Sequence, residues 1–100
     1  MLVKFRTKAL RNQYETSGKA IAAYGKAVGR KYIQRINIIK TTRNINELAG
    51  IRALRCHPLK GKRDGEWAID LSDFYRLIFT VQGDKMEIIR IEEVSKHYDD

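Results

Sequence analysis

The residues of this sequence that are best suited to chemistry lie in its second half. His57 carries an imidazole, which accepts or donates a proton near neutral pH. Lys60 begins the loop Lys60–Gly65, whose cations and backbone N–H groups suit a phosphate. Arg76 supplies a planar guanidinium that can bind an anionic group through two parallel hydrogen bonds. His97 adds a second imidazole, so the set predicts acid–base chemistry on a phosphodiester.

Each of these residues also has an ordinary structural interpretation. A histidine before Pro-Leu is more often a turn residue than a base, and a Lys-Gly-Lys-Arg loop is usually only solvated. Arg76 can simply pair with a carboxylate on a neighbouring strand, for which the sequence offers Asp70, Asp73 and Glu92. The argument for a site therefore rests on the combination, not on any one residue.

Metal-dependent chemistry is disfavoured. Cys56 and His57 are adjacent, which is a poor geometry for joint ligation, and the sequence holds one cysteine. We expect Cys56 to be a small buried residue and not a nucleophile. Four acidic residues lie close together in the sequence: Asp64, Glu66, Asp70 and Asp73. They alternate along a predicted hairpin instead of converging as a two-metal nuclease requires, so we expect neither a metal nor a cofactor.

The charge distribution favours a polyanionic partner. The formal net charge is +8, and it is uneven along the chain. Residues 1–63 carry 16 Lys and Arg against 2 Asp and Glu, whereas residues 64–100 carry 4 against 10. Such a basic surface attracts nucleic acid by neutralising phosphates and releasing counterions. The alternative is a solvated surface that happens to be basic.

The composition also predicts where the protein works. One cysteine excludes an internal disulfide, which fits a reducing compartment. The first residues, MLVKFRTK, lack the apolar centre of a secretory signal, and no run of about 18 apolar residues is present. We therefore expect a cytoplasmic protein with no contact to membranes.

The elements that must position these residues form one α+β domain over residues 1–100. The order predicted is β-α-α-β-β-β, with the helices packed on one face of a small antiparallel sheet. Four strands are predicted, at Met1–Phe5, Trp67–Leu71, Tyr75–Val81 and Met86–Val94. The helices are predicted over Lys8–Tyr14, capped by Thr7, and over Gly18–Thr42 with a junction near Gly25; Asn44–Gly50 is predicted as a loop or a single turn.

Alternation along the strands predicts which side chains face the helices. Leu77 and Phe79 share one parity and should face the helices, so Arg76 should lie on the opposite, open face. Trp67 shares the parity of Ile69, which favours a core position over stacking on an RNA base.

These residues form a pattern that resembles the HigB group of the RelE/ParE toxin superfamily. The pattern is the run His57-Pro-Leu-Lys-Gly-Lys-Arg-Asp-Gly-Glu-Trp67, then Tyr75-Arg-Leu-Ile-Phe79, then His97, and it covers residues 56–98. The resemblance implies a RelE-like fold with two packed helices against the sheet. It further implies a toxin of a type II toxin–antitoxin module, an mRNA interferase that cuts message on the ribosome and so inhibits translation and arrests growth. Such enzymes use the RNA's own 2′-hydroxyl as nucleophile and no metal.

The resemblance also implies residue roles and partners. It implies catalytic roles for His57, Lys60, Arg76 and His97, and substrate contacts from Lys62, Arg63 and Tyr98. Which histidine is the base and which the acid stays open. The expected partners are the ribosome with mRNA in its decoding site and a helix-turn-helix (HigA-like) antitoxin, with a toxin–antitoxin heterotetramer as one form of that complex. Two alternatives are a non-catalytic, ParE-like gyrase poison and a basic RNA- or ribosome-binding domain.

Overall fold

The computed structural model describes residues 1–96, so the predicted site residues His97 and Tyr98 lie outside the described residues. The helices are Lys8–Glu15 (α1), Ser17–Tyr24 (α2), Lys26–Thr41 (α3) and Ile45–Ala49 (α4), with short 3₁₀ turns at Arg52–Leu54 and Gly61–Arg63. The strands are Leu2–Phe5 (β1), His57–Pro58 (β2), Glu66–Asp70 (β3), Tyr75–Gln82 (β4) and Ile88–Lys96 (β5). None of these helices is long and apolar enough to cross a membrane.

The five strands form one sheet in the order β1-β5-β4-β3-β2. The α+β class is confirmed, but the predicted sheet is wrong in two respects, because β1 runs parallel to β5 and the short strand β2 adds a fifth strand to the four predicted. The helices separate β1 from the other strands in sequence, and a connection of that length permits either direction. The alternation of apolar residues in β1 carries no information about direction, so the sequence could not decide this point.

The helix boundaries follow local sequence signals. The Thr7 hydroxyl oxygen accepts a hydrogen bond from the Leu10 N–H at 3.1 Å, which confirms the predicted N-cap of α1. The predicted junction is also confirmed, because Gly25 has a φ of 86° and separates α2 from α3. A side chain at that φ would clash with the backbone, so glycine suits this bend.

The hydrophobic core lies between the helices and one face of the sheet. Most of its largest fully buried side chains come from α3, β4 and β5: Tyr32, Ile36, Ile39, Leu77, Phe79, Ile89 and Ile91. Leu48, Leu54 and Ile69 complete the set. The Tyr32 hydroxyl donates a hydrogen bond to the Leu10 carbonyl at 2.7 Å, which ties α3 to α1. Burial, together with the neighbouring Tyr24, raises the pKa of Tyr32. Trp67 packs against this core with its ring 6.4 Å from that of Phe79, which supports the predicted core position.

The packing of α2 against α3 depends on Gly29. A Cβ built at Gly29 would lie 2.8 Å from the carbonyl carbon of Ala20 and 2.9 Å from the Ile21 amide nitrogen. These are backbone atoms of α2, so they cannot move aside as a flexible side chain would. The two helices therefore approach each other closely because position 29 has no side chain.

We predict that Gly29→Ala lowers the free energy of unfolding by about 1–3 kcal/mol, because the added methyl group forces α2 and α3 apart. Urea denaturation of the purified protein measures this change. The matched control is Gly18→Ala in α2, where a Cβ would have no heavy atom within 4 Å. Alanine is the better helix former, so the control should be neutral or stabilising by up to about 1 kcal/mol. Equal effects of the two substitutions would contradict the close contact.

Candidate active site

The face of the sheet opposite the helices brings two of the predicted site residues together. The strand pairings align His57 with Ala68 and Arg76 with Asp70. Ala68 pairs in turn with Ile78, and both are fully buried although neither belongs to the core on the helix side. Paired residues lie on the same face, so His57 and Arg76 share the open face, as the alternation predicts for Arg76. Strand spacing puts their Cα atoms about 12 Å apart, a gap that two long side chains can close around a phosphate.

His57 is exposed and its ring orientation is fixed by one hydrogen bond. Its Nδ1 atom lies 2.7 Å from the carbonyl oxygen of Arg55. A carbonyl oxygen only accepts, so Nδ1 must carry the proton, and in the neutral ring Nε2 then has the lone pair. Arg55 ends a 3₁₀ turn in the left-handed conformation, with φ of 50°, directly before β2. The chain therefore presents His57 with Nε2 ready to accept a proton.

Two of the three carboxylates proposed as ordinary partners of Arg76 bind other groups. Asp70 receives the Arg55 guanidinium, with Nε 3.2 Å from Oδ2. Glu92 accepts a hydrogen bond from the Thr80 hydroxyl at 2.8 Å and pairs with Arg90 at 3.2 Å. Arg76 is half-buried and has an interaction of its own.

Arg63 ties the loop that carries the predicted phosphate-binding lysines to the sheet. Its guanidinium pairs with Glu66 of β3 at 3.0 Å and with Glu93 of β5 at 3.4 Å. Because β4 lies between β3 and β5, a side chain bound to both must cross over β4. Glu93 is the cross-strand partner of Ile78, which is fully buried, so the bridge crosses β4 near this residue.

The two lysines of this loop are placed differently from Arg63. Lys60 and Lys62 are both exposed, on either side of the turn that begins at Gly61. The Leu59 N–H donates to the Glu66 carbonyl at 2.8 Å, which fixes the start of the loop beside β3. Both ammonium groups can thus reach an RNA backbone above the open face. A phosphate contact from Arg63 stays a prediction. The sequence analysis did not predict the pairs that Arg63 forms with Glu66 and Glu93.

Sequence analysis did not predict that Glu93 pairs with Arg63, because the two residues are far apart along the chain. Glu66 lies three residues after Arg63, a spacing that suggests local pairing, whereas Glu93 lies 30 residues away. Only the register of β4 against β5 brings Glu93 into reach. In residues 1–96, no three histidine, cysteine or carboxylate side chains form a group able to hold a metal ion.

Comparison with known proteins gives a consistent assignment of the fold. No family model and no curated protein matches the chain. Among solved structures, a YoeB/ParE toxin from Agrobacterium tumefaciens superposes with a TM-score of 0.65 at 19% identity, covering 98% of this chain and all of that one. The toxin of a YoeB-YefM complex from Staphylococcus aureus gives 0.60 at 22% identity over 98% and 99% of the two chains. YafQ from E. coli gives 0.58 at 17% identity over 95% and 91%.

The chain has the fold of the RelE/ParE toxins. At these sequence identities the likeness establishes the fold, and the neighbours are YoeB/ParE and YafQ toxins. The predicted superfamily fold is therefore confirmed, whereas the narrower resemblance to HigB stays a prediction.

Two surface grooves of the described residues lie apart from the candidate active site. A groove of about 390 Å³ follows α3 from Arg30 to Thr41, and one of about 450 Å³ lies beside β1. Neither of these two grooves includes His57, Lys60 or Arg76.

Cys56, next to His57, is not poised as a nucleophile. Its thiol is half-buried, and burial raises its pKa to about 12 from an ordinary value near 9.0. The thiolate is the reactive form, so raising the pKa suppresses reactivity at neutral pH. This supports the expectation that Cys56 is a packing residue.

We predict that iodoacetamide alkylates Cys56 at least about tenfold more slowly in the folded protein than in urea at pH 8. The thiol of the unfolded chain ionises at lower pH, so unfolding should restore the reaction. Intact-mass spectrometry over time measures both rates. Fast alkylation of the folded protein would mean that the thiol is accessible and ionised, contrary to the structure.

We predict that Arg63→Ala loosens the loop over the open face. Loss of the bridge should accelerate hydrogen exchange at the Leu59 and Asp64 amides and lower the free energy of unfolding by about 1 kcal/mol, a modest value because the pairs are partly exposed. Exchange measured by NMR reports both amides. Lys62→Ala, one residue away and exposed, is the control and should leave exchange unchanged. If both variants exchanged alike, the bridge would have no structural role.

Proposed function

We propose that this chain is the toxin of a type II toxin–antitoxin module and cleaves mRNA on the ribosome without a metal. The observation that carries the proposal is the open face, where an exposed imidazole with a defined proton acceptor shares one surface with the half-buried Arg76. The RelE-like fold and the net charge of +8 add support, because they fit a protein that acts on RNA.

The proposed reaction is attack by the RNA's own 2′-hydroxyl. A base takes the hydroxyl proton, the 2′-oxygen bonds to the adjacent phosphorus, and the bond from phosphorus to the 5′-oxygen breaks. An acid gives a proton to that leaving oxygen, so the products are a 2′,3′-cyclic phosphate and a 5′-hydroxyl. The protein must supply a base, an acid and a cation at the phosphorus, and no step requires an added reactant.

The residues of the open face can be matched to these needs. His57 exchanges one proton through Nε2, and His97 is the proposed second proton-transfer group. Arg76 stabilises the charge that develops on the phosphorane oxygens, with Lys60 as a second cation at the phosphate. Backbone phosphates and the flanking nucleotides are contacted by Lys62, Arg63 and Tyr98. The structure supports this assignment for His57 and Arg76 through their shared face, and for Lys60 and Lys62 through their exposure.

The exposure of His57 and Lys60 favours a substrate presented by another body. Exposed side chains do little to orient a flexible RNA strand, and orientation is worth several orders of magnitude in rate. A message held in the decoding site of a ribosome is already ordered. We therefore propose that the ribosome supplies the orientation that this surface lacks, and that the basic surface docks on ribosomal RNA.

A toxin of this kind needs an inhibitor in the same cell. Solved structures with this fold include a YoeB-YefM complex and a DinJ-YafQ toxin-antitoxin complex. We propose an antitoxin for this chain as well, of the helix-turn-helix, HigA-like type, in a heterotetramer in the cytoplasm. Copurification with the product of a neighbouring gene, followed by mass measurement, tests the partner and the stoichiometry together.

We predict that Arg76→Ala and His57→Ala each lower the rate of message cleavage by about 10²- to 10⁴-fold, and that His97→Ala does the same. The assay uses purified protein with programmed ribosomes in magnesium buffer. Primer extension maps the cut ends, and labelling by a polynucleotide kinase identifies ends that carry a 5′-hydroxyl. Growth after induction provides the readout in cells. The control is Arg43→Ala, an exposed arginine at the α3–α4 connection, which should cleave normally. Circular dichroism verifies that each variant is folded.

The alternatives give different outcomes in the same experiment. Cut ends that carry a 5′-phosphate instead of a 5′-hydroxyl would exclude attack by the 2′-hydroxyl. Growth arrest that persists in all three variants with intact message would favour a gyrase poison. Ribosome binding with neither arrest nor cleavage would favour a basic RNA-binding domain.

A further inference from the structure

Arg55 contacts His57 through its backbone and the sheet through its side chain. Its carbonyl oxygen lies 2.7 Å from the Nδ1 atom of His57. Its guanidinium Nε lies 3.2 Å from Oδ2 of Asp70, which belongs to β3. One residue therefore connects the imidazole to the strand that pairs with β2.

The backbone of Arg55 has a conformation that residues with a side chain seldom adopt. Its φ of 50° and ψ of 42° lie in the left-handed region, and no other non-glycine residue of the part of the chain that the structure describes has a positive φ. Such a conformation persists only where surrounding contacts hold it. The Arg55 N–H donates to the Arg52 carbonyl at 3.1 Å, and the ion pair with Asp70 holds the side chain. The turn is thus fixed through both the backbone and the side chain of Arg55.

Asp70 is itself held in place at the end of β3. Its register partner across the β3–β4 pairing is Arg76, so it lies on the open face together with His57. Arg35 of α3 donates from Nε to the Asp70 carbonyl at 3.3 Å, so a helix also contacts this end of the strand. The carboxylate that receives Arg55 therefore belongs to the same rigid sheet face that carries the candidate active site.

The carbonyl contact decides which nitrogen of His57 exchanges a proton. A carbonyl oxygen only accepts, so the short distance to Nδ1 requires the proton on Nδ1. That proton stays in place in both the neutral ring and the imidazolium, which leaves Nε2 as the atom that gains and loses a proton. A ring free to turn would divide its neutral form between two tautomers, and the tautomer protonated at Nε2 cannot accept a proton there.

We propose that Arg55 and Asp70 are positioning residues for His57. The ion pair holds the left-handed turn, the turn aims the Arg55 carbonyl at Nδ1, and the carbonyl keeps the lone pair of the neutral ring on Nε2. Neither residue needs to touch a substrate. The consequence for RNA cleavage rests on the proposed function, whereas the consequence for the imidazole can be measured without RNA.

NMR of the isotopically labelled full chain tests the proposal, because the chemical shifts of the two ring nitrogens distinguish the tautomers of a neutral imidazole. Spectra are recorded at a pH at which the ring is neutral, and His57→Ala identifies the signals of this residue. Wild-type His57 should be protonated at Nδ1. In Arg55→Ala and in Asp70→Asn the two nitrogen shifts should move toward each other, because both tautomers become populated. Arg55→Lys keeps a cation that can reach Asp70 and should retain the wild-type shifts.

The matched control is Arg52→Ala. Arg52 is exposed, lies in the 3₁₀ turn that Arg55 ends, and carries the same charge, so its loss changes the electrostatic field at His57 without removing the pair with Asp70. It should leave the tautomer of His57 unchanged. Circular dichroism verifies the fold of each variant. If Asp70→Asn fails to fold, Arg55→Ala carries the test, because it alters an exposed side chain.

The effect on activity is a second measurement. Arg55→Ala and Asp70→Asn should each lower the rate of message cleavage by about threefold to tenfold, because an exposed ion pair contributes only modestly. Arg55→Lys should restore most of the rate. A tautomer that changes as expected in a chain that never cleaves message would contradict the proposed function and leave the positioning role intact.

Three results would overturn the positioning role. A neutral wild-type His57 protonated at Nε2 would contradict the hydrogen bond to Arg55. Wild-type nitrogen shifts in both Arg55→Ala and Asp70→Asn would mean that the ion pair does not hold the ring, whatever the cleavage rate. Equal changes in Arg52→Ala and Arg55→Ala would assign the effect to the loss of a charge and not to the pair.

Discussion

The ion-pair bridge from Arg63 across β4 is the contact on which the candidate active site depends. It joins the loop that carries Lys60 and Lys62 to β3 and β5 at once, and it covers the middle of the open face. The bridge crosses β4 near Ile78, which is fully buried. The same arginine thus links two strands of the sheet and ties the loop to them. The imidazole and the guanidinium can then lie beside a stable floor.

Ion pairs within the protein explain part of the uneven charge distribution along the sequence. Four acidic side chains of the second half lie on the sheet, and arginines of the first half pair with them: Arg63 with Glu66 and Glu93, Arg55 with Asp70, and Arg6 with Glu92. Part of the opposite charge of the two halves is therefore paired within the protein. Lysines at the surface and on the helices carry most of the remaining positive charge, and these are available to a polyanion.

The sequence predicted those structural features that depend on interactions between residues close together along the chain. The Thr7 cap, the Gly25 break and the alternation that puts Arg76 opposite the helices all depend on neighbouring residues, and all three are found. The direction of β1, the two-residue strand β2 and the Arg63–Glu93 pair depend on contacts between distant segments. No single-sequence pattern encodes those contacts. The segment that forms the short helix α4 was predicted only as a loop or a single turn, so the local sequence signals predicted this element in part.

The bulge in β5 shows how one irregularity serves the whole face. The register between β4 and β5 shifts between Ile78 and Phe79, so β5 has one extra residue there. In a regular strand, Glu92 and Glu93 would point to opposite faces. Here Glu92 meets Thr80 while Glu93 meets Arg63, both on the open face. The extra residue thus places two adjacent carboxylates on the open face. Glu92 pairs with Arg6, the residue after β1, and Glu93 pairs with Arg63 of the loop. In a regular strand, one of the two carboxylates would point toward the core.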